Sequence, residues 1–472
     1  MEAMTIPGKK SARSGKYVLG VIFLILAVQV ALTWKLRHAA VSPLLRVVAP
    51  SSQWMEGSLS PYGPGFEQEL LNRFCQENGM RWEWEKADSW DEAWEMVRNG
   101  KADLIIGLGA QPPKNMDVSL VVGPAYARFD PLLVRAKGSS PSTGDCGKVI
   151  VASNADLDSL SLPANDSGCA PTPVVPEDVS LRSVLDSLSK DGLSTALVDS
   201  GRYRLLQPFY SQLTTESRLS GSVEYRWFWS ERSKELSRAL VDFWARTLDS
   251  PAYKDIYDRY FGFLPERTDP YEMRHFMRTL KRKLPTYEEQ ILLSASKYGI
   301  DPLLLVAVIY QESHFNSRAK SKTGVRGLMQ LTIRTAKELG VNRNNPFDSI
   351  EGGAAYLASL FERFEGTGLT PADQWFFALA AYNRGRGHVL DAMTLAKAQG
   401  GSGRTWRELK DVFPKLSYAK YYRNSKYGYT RGFEVVHYVE KIRYFYYVLN
   451  GLVVLSRPEA QQLAMLVGPS LL

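Results

Sequence analysis

VAVIYQESHFNSRAKSKTGVRGLMQLT, residues 306–332, is the stretch on which the reading of this chain turns. Just upstream, Asp301 is placed to cap a helix whose first position is Pro302, where a missing N–H removes no hydrogen bond. Leu303 through Ile309 are apolar without a break, so this helix has no polar face and must be surrounded by protein. It ends in Gln311, Glu312 and Ser313. A carboxyl at the C-terminal end of a buried helix loses hydration and faces the negative end of the helix dipole, and both effects disfavour ionisation. Glu312 is therefore expected to hold its proton near neutral pH, as a general acid must. The plainer alternative is a helix-end cap, or a pair with Arg318 or Lys320.

The surroundings suit a polysaccharide. Gly324, Gly327 and the following Leu328-Met329-Gln330 predict a close turn that lies under a sugar ring, with Met329 for apolar contact and Gln330 for hydrogen bonding. FALAAYNRGRGHV, residues 377–389, predicts a second buried helix ending in Tyr382-Asn383 and a glycine-rich exit. FEVVHYVEKIRYFYYVL, residues 433–449, predicts a third, carrying Tyr438 and Tyr444. Three buried helices, each with a polar group near one end, would frame a saccharide groove.

A chain of 472 residues is too long for one hydrophobic core, and two domains with accessory segments are expected. A hydrophobic content of 44% with 23% charged residues is that of folded protein, which excludes a mainly disordered chain. The net charge of +8 suits polyanions in general, from phospholipid surfaces to anionic cell-wall polymers. No compact basic block with interleaved aromatics stands out, so nucleic acid is not an expected partner. Lys9, Lys10, Arg13 and Lys16 precede YVLGVIFLILAVQVALTW, residues 17–34, an export signal or membrane anchor. The nearest small-x-small site is the poor His38-Ala39-Ala40, which favours an uncleaved anchor with residues 1–40 as basic tip and span. The positive flank stays cytoplasmic, and the rest of the chain faces the other side of that membrane. Among the three cysteines, Cys75 falls in a helical pattern, while Cys146 and Cys169 either pair or remain thiols. No His/Cys spacing resembles a metal site, and no cofactor is expected.

From residue 45 to 264 strands and helices alternate, implying a parallel α/β sheet repeated in two lobes. LLRVVAP, RWEWEK, ADLIIGL, STALVDS and VEYRWFWS read as strands, and the segment VVGPAYARFDPLLVRAKG is suited to cross between the lobes. Gly65-Phe66-Glu67, Gly100-Lys101-Ala102-Asp103, Gly123-Pro124-Ala125-Tyr126 and the closing Tyr257-Asp258-Arg259-Tyr260-Phe261-Gly262 make this region resemble the family 3 solute-binding proteins. The resemblance implies a two-lobed periplasmic-binding-protein-like domain, non-catalytic and regulatory, closing on a muropeptide or amino-acid-like ligand. Trp54, Tyr62, Tyr126 and Arg128 are its candidate cleft residues. Where amino-acid binders of that family usually place a carboxylate-clamping arginine, this chain has Met116, with Lys114 and Asn115 nearby.

The proline-containing stretch FLPERTDPYEMRHFMRTLKRKLPTYEEQ predicts a hinge and short helix, with residues 265–286 as linker and a basic cluster at Arg278, Lys281, Arg282 and Lys283. From residue 287 to 455 the pattern is helical throughout, followed by a tail at 456–472. Glu312-Ser313, the run SKTGVRGLMQ ending at Gln330, Gly353-Ala354-Ala355-Tyr356-Leu357, Ala381-Tyr382-Asn383-Arg384-Gly385, and Glu434 to Val439 together resemble the catalytic domain of the soluble-type lytic transglycosylases. One departure is Val435, where the wider family often carries threonine. The resemblance implies an α+β multidomain chain whose second domain is all-α and lysozyme-like. It implies Glu312 as sole acid/base, Tyr438 orienting it, Ser313, Gln330 and Asn383 holding N-acetyl groups and ring oxygens, and Met329 and Tyr382 packing on the glycan. The implied partner is the peptidoglycan glycan strand. The implied location is the cell envelope facing the periplasm: that family is associated with the inner leaflet of the outer membrane, whereas the anchor segment also allows the inner membrane. A contrasting expectation is a receptor in which the first domain senses a ligand and the second only grips peptidoglycan.

Overall fold

In the computed structural model the described residues are 43–50, 59–107, 120–138, 148–152, 171–174, 180–191 and 195–456, with single positions at 162, 463 and 466. The expectations for the apolar segment 17–34, for Trp54, for Lys114 to Met116, for Cys146 and Cys169 and for most of the tail lie outside them. Among the described residues no single helix is long and apolar enough to cross a membrane.

The first lobe begins with β1 (Leu44–Pro50), which pairs in parallel with β2 (Arg81–Ala87) and β3 (Leu104–Ile105). Helices α1 (Phe66–Glu77) and α2 (Trp90–Arg98) make the connections. Phe66, Leu70 and Phe74 bury one face of α1, and Gly79, at φ 62, ends the turn that follows it. Ser89 caps α2 by accepting a hydrogen bond from the Glu92 N–H. Cys75 is a buried free thiol, as its helical spacing predicts.

The chain then leaves through β4 (Leu120–Val122) and β5 (Ala127–Phe129) into β6 (Pro131–Ala136), β7 (Lys148–Val151) and β8 (Thr172–Val174). Helix α3 (Leu181–Asp191), β9 (Thr195–Asp199), α4 (Ser200–Leu206) and β10 (Leu213–Arg218) complete the second lobe, whose sheet runs β10-β6-β9-β7-β8. The return path is β11 (Val223–Tyr225), antiparallel to β5, and β12 (Phe228–Ser230), which enters the first sheet in the order β2-β1-β3-β12-β4. Two expectations change here. The sheets are mixed rather than parallel, because β12 runs antiparallel to β3 and β4, and β6 runs antiparallel to β9 and β10. VEYRWFWS is two strands in two sheets, since the returning chain must pass from the crossing ribbon to the first lobe within a few residues. Helices α5 (Lys234–Thr247) and α6 (Pro251–Phe261) close the α/β half.

The predicted hinge is instead a long helix. α7 (Pro270–Tyr298) runs for 29 residues with Pro285 inside it. Its buried stripe of Met273, Phe276, Leu280, Leu284, Ile291 and Ala295 continues through the proline, which itself points to solvent. The apolar stripe outweighs one lost backbone hydrogen bond and the ring clash that proline brings to a helix interior. After a bend of 118° comes α8 (Pro302–Ser313), capped by Asp301 through the N–H groups of Leu303 and Leu304. The remaining helices are α9 (Ile333–Leu339), α10 (Pro346–Glu362), α11 (Pro371–Arg384), α12 (Arg386–Ala398), α13 (Trp406–Val412), the one-turn α14 (Ala419–Tyr422) and α15 (Gly432–Val454). The architecture is thus a two-lobed α/β half followed by an all-α half.

The halves share one continuous apolar core. Arg443 of α15 is buried between them and donates to the carbonyls of Asp258 at 2.9 Å and Arg259 at 3.3 Å, the electronegative C-terminal end of α6. Its charge is met by the carboxylates of Asp258 at 3.3 Å and Glu440 at 2.7 Å. This junction corrects the expectation for Tyr62. Its hydroxyl donates to the Arg443 carbonyl at 2.6 Å and its ring meets those of Phe263, Phe376 and Tyr446, so it joins the two halves and lines no cleft between the lobes.

Candidate active site

Helix α8 presents Glu312 because the chain leaves it abruptly: His314 and Phe315 both adopt left-handed backbone, φ 49 and 56. Two consecutive non-glycine residues in that region are a local strain held in place by the surrounding packing. α15 crosses behind, and the Tyr438 hydroxyl donates to Glu312 Oε1 at 2.5 Å. Burial pushes the Glu312 carboxyl up to about 7, and the Tyr438 bond opposes that rise. Burial and the neighbouring Glu312 charge hold the Tyr438 hydroxyl well above its ordinary value, so it remains a donor. Tyr382, near the end of α11, is raised by burial and by the same glutamate, which sets it on the rim of the same site.

The turn beneath is built by packing. Gly327 sits at φ 84, and an added Cβ would lie 2.1 Å from the Arg343 carbonyl oxygen. Arg343 donates to the carbonyls of Gly324 at 2.8 Å and Leu331 at 2.9 Å, and Ser349 Oγ accepts from the Met329 N–H at 3.2 Å. Gln330, at φ 46, donates its side-chain amide to the carbonyls of Gly327 at 2.8 Å and Ala319 at 3.2 Å. The Tyr382 hydroxyl ties α11 to this turn through the Met329 carbonyl at 2.8 Å. Asn383 Oδ1 is buried and has no partner among the described residues. Ser313 turns its hydroxyl hydrogen back to the Ile309 carbonyl at 3.2 Å, which leaves its oxygen as an acceptor.

The family profile described as "Transglycosylase SLT domain" matches residues 289–403, and that of "Bacterial extracellular solute-binding proteins, family 3" matches residues 62–263. Membrane-bound lytic murein transglycosylase F of Shewanella halifaxensis is 33% identical over 390 residues, covering 81% of this chain and 80% of its own. Its counterpart from Shewanella sediminis is 32% identical over 421 residues, covering 86% of each. The chain belongs to the membrane-bound lytic murein transglycosylase F family. A solved periplasmic binding protein of Salmonella typhimurium, described as having high arginine specificity, aligns with 47% of this chain and 100% of its own at 16% identity and a TM-score of 0.38.

In this family member the residues singled out from the sequence separate into two groups. Tyr438 and Tyr382 meet Glu312, and Ser313 and Asn383 are the chain neighbours of Glu312 and Tyr382 at the ends of α8 and α11. Met329 differs from expectation: it is fully enclosed against Gly353, where a Cβ would meet its side chain at 2.5 Å, so its carbonyl serves the site and its side chain serves the core. Gln330 likewise spends its amide N–H groups inside the turn. Tyr444 bonds Thr268 at 3.2 Å, within the junction with the α/β half. Val435 is buried among apolar neighbours, and the Tyr438 to Glu312 bond forms without a hydroxyl at that position.

In the α/β half, Tyr126 and Arg128 line a cavity of about 660 Å³ together with Tyr253, Tyr257 and Arg407 of the helical half. Tyr126 is 3% exposed, stacks on Trp244 at 5.3 Å and donates to Glu67. Arg128 pairs with Glu224 at 2.8 Å at the surface. Sequence reasoning missed the supports Arg343 and Ser349, whose spacing from the turn carries no local signal, and it missed Glu67 as a buried acid.

Proposed function

We propose that the protein cleaves the β-1,4 bond between N-acetylmuramic acid and N-acetylglucosamine with Glu312 as its only acid/base. Protonated Glu312 gives its proton to the glycosidic oxygen as that bond breaks. The resulting carboxylate takes the proton of the muramoyl 6-hydroxyl, whose oxygen bonds the anomeric carbon and closes a 1,6-anhydro ring without water. The observation that carries this reading is the 2.5 Å bond from Tyr438 to a buried carboxyl pushed up to about 7, with no second carboxylate among the groups that perturb it. Tyr438 orients Glu312, Ser313 and Asn383 supply acceptors for N–H and O–H groups of the sugars, Gln330 and the Met329 carbonyl fix the turn, and Tyr382 forms a wall.

In this reading residues 45–264 are a regulatory domain for a muropeptide or amino-acid-like ligand, and residues 287–455 are the catalytic domain. The protein is held to a membrane of the cell envelope, facing the periplasm, and serves cell-wall remodelling or recycling. Mass spectrometry of murein digested by the full chain, with and without added muropeptides, tests both parts. Anhydro ends and a rate that responds to muropeptides are expected; reducing ends would identify a hydrolase, and equal rates would remove the regulatory role.

A further inference from the structure

The segment SYAKYYRNSKYGYTRGF, residues 417–433, contains no Asp or Glu and forms the approach to α15. Its charges are spaced along the chain rather than adjacent, which is why it does not stand out as a basic block. Lys420, Arg423 and Lys426 are exposed and have no ion-pair partner among the described residues. Interleaved with them, Tyr418, Tyr427, Tyr429 and Phe433 stand 47% to 59% exposed, unusual for aromatics on one short stretch.

This ledge is built rather than loose. The buried Asp391 carboxylate accepts the N–H groups of Lys426 at 3.0 Å and Tyr427 at 2.8 Å. Ser417 Oγ donates to the Thr430 carbonyl at 2.9 Å and accepts from the Gly432 N–H at 3.1 Å. It also abuts the segment that follows Tyr382 and Asn383. Tyr427 packs on Gly387, where a Cβ would lie 2.5 Å from its ring, and Gly387 follows Asn383 on the glycine-rich exit of α11. Around that exit and the first turn of α12, Asn383 Oδ1, Arg384 Nε, Arg386 Nε and His388 Nδ1 are buried without a partner among the described residues, while the Arg384 guanidinium already donates from Nη2 to the Glu434 carboxylate. Buried polar atoms are nearly always paired, so a group of orphans next to Tyr382, which meets Glu312, marks contacts a ligand completes. Arginine N–H groups have only acceptors as partners, and carboxylates serve them best.

We infer that the 417–433 ledge, with Arg386 at the start of α12, binds the carboxylate-bearing peptide attached to the substrate's sugars, so that peptide-bearing strands are held in preference to bare glycan. The inference rests on the reading of Glu312 as the cleaving acid, since that fixes which groove the glycan occupies. A peptide branching from the strand must leave the groove over one of its rims, and this rim offers cations for its carboxylates and aromatic faces for its methyl and methylene groups. A phospholipid surface also attracts bases and aromatics, but it would not account for the buried unpartnered atoms beside the ledge.

The test replaces Lys420, Arg423 and Lys426 together by Gln in a chain that also carries Glu312→Gln, so that binding is read without digestion. Binding to intact murein is compared with binding to murein stripped of its peptides by an amidase. Against the Glu312→Gln parent, the preference for peptide-bearing murein is expected to fall roughly tenfold at low salt, with the parent's own preference shrinking as salt rises. An unchanged preference would overturn the inference. So would loss of binding to vesicles containing anionic lipid with the murein preference intact, which would make the ledge a membrane-facing surface. Failure of the Glu312 reading shows in a different measurement, the absence of anhydro products from the unmodified enzyme on either substrate.

Discussion

Glu312 in the helical half and Glu67 in the α/β half are both pushed up to about 7 by burial, and each accepts a hydrogen bond from a tyrosine, Tyr438 in one case and Tyr126 in the other. They differ in what remains of the carboxyl. Glu67 Oε1 also takes the Gly107 N–H at 3.2 Å, and its tyrosine is locked against Trp244. Glu312 has a single hydrogen bond among the described residues, taken at Oε1, which leaves its other oxygen without one. A raised carboxyl therefore marks enclosure, and the one that also keeps an unspent oxygen is the acid of the proposed reaction.

The largest effect separates the two directly. Glu312→Gln should lower murein turnover by roughly 10³-fold, the scale of a lost general acid, with folding retained. Glu67→Gln should change turnover by less than about twofold, since its role is internal. Comparable losses in zymography from both variants would break the distinction.

Tyr438→Phe sharpens it. Turnover should fall roughly tenfold to a hundredfold through lost orientation of the acid. The Tyr438 bond lowers the Glu312 pKa, so its removal raises that pKa further. A general acid works while protonated, hence the alkaline fall of the rate profile should move to higher pH in this variant. A profile that moves down or stays fixed would separate Tyr438 from the titration of Glu312.

The smallest effect is on stability. Both carboxyls titrate at 4.5 when unperturbed and at about 7 when folded, so the folded chain binds more protons across that interval. Their stabilising contribution is complete below pH 4.5 and is lost as pH rises through 7, on the order of 3 kcal/mol each. Glu67→Gln should flatten the fall in thermal unfolding temperature between pH 5 and pH 8. An undiminished slope would show that Glu67 is not the group responsible.

Much of this site was legible because its signals are local. Asp301, Pro302 and the apolar run to Ile309 specify a capped, enclosed helix, and Glu312 lies at its end whatever the rest of the chain does. Gly79 and Gly327 announce left-handed turns in the same way. The misreadings share a cause in distant packing. Pro285 reads as a break, yet α7 continues because its apolar stripe is buried by partners far along the chain. Tyr62 and Met329 have the composition of ligand contacts, but neighbours that sequence spacing does not reveal enclose one at the junction of the halves and the other against Gly353.

The sequence by itself determined the alternation of strands and helices in the first half, the helical second half and an acid at the mouth of an apolar helix, because caps, periodicity and glycine conformations act over a few residues. Only the tertiary structure decided that Tyr438, 126 residues further on, meets Glu312 while Tyr126 meets Glu67. It also decided that Arg443 seats the catalytic half on the end of α6. Those pairings depend on which faces pack together, and the same packing sets how much water reaches each carboxyl and which oxygen is left unspent.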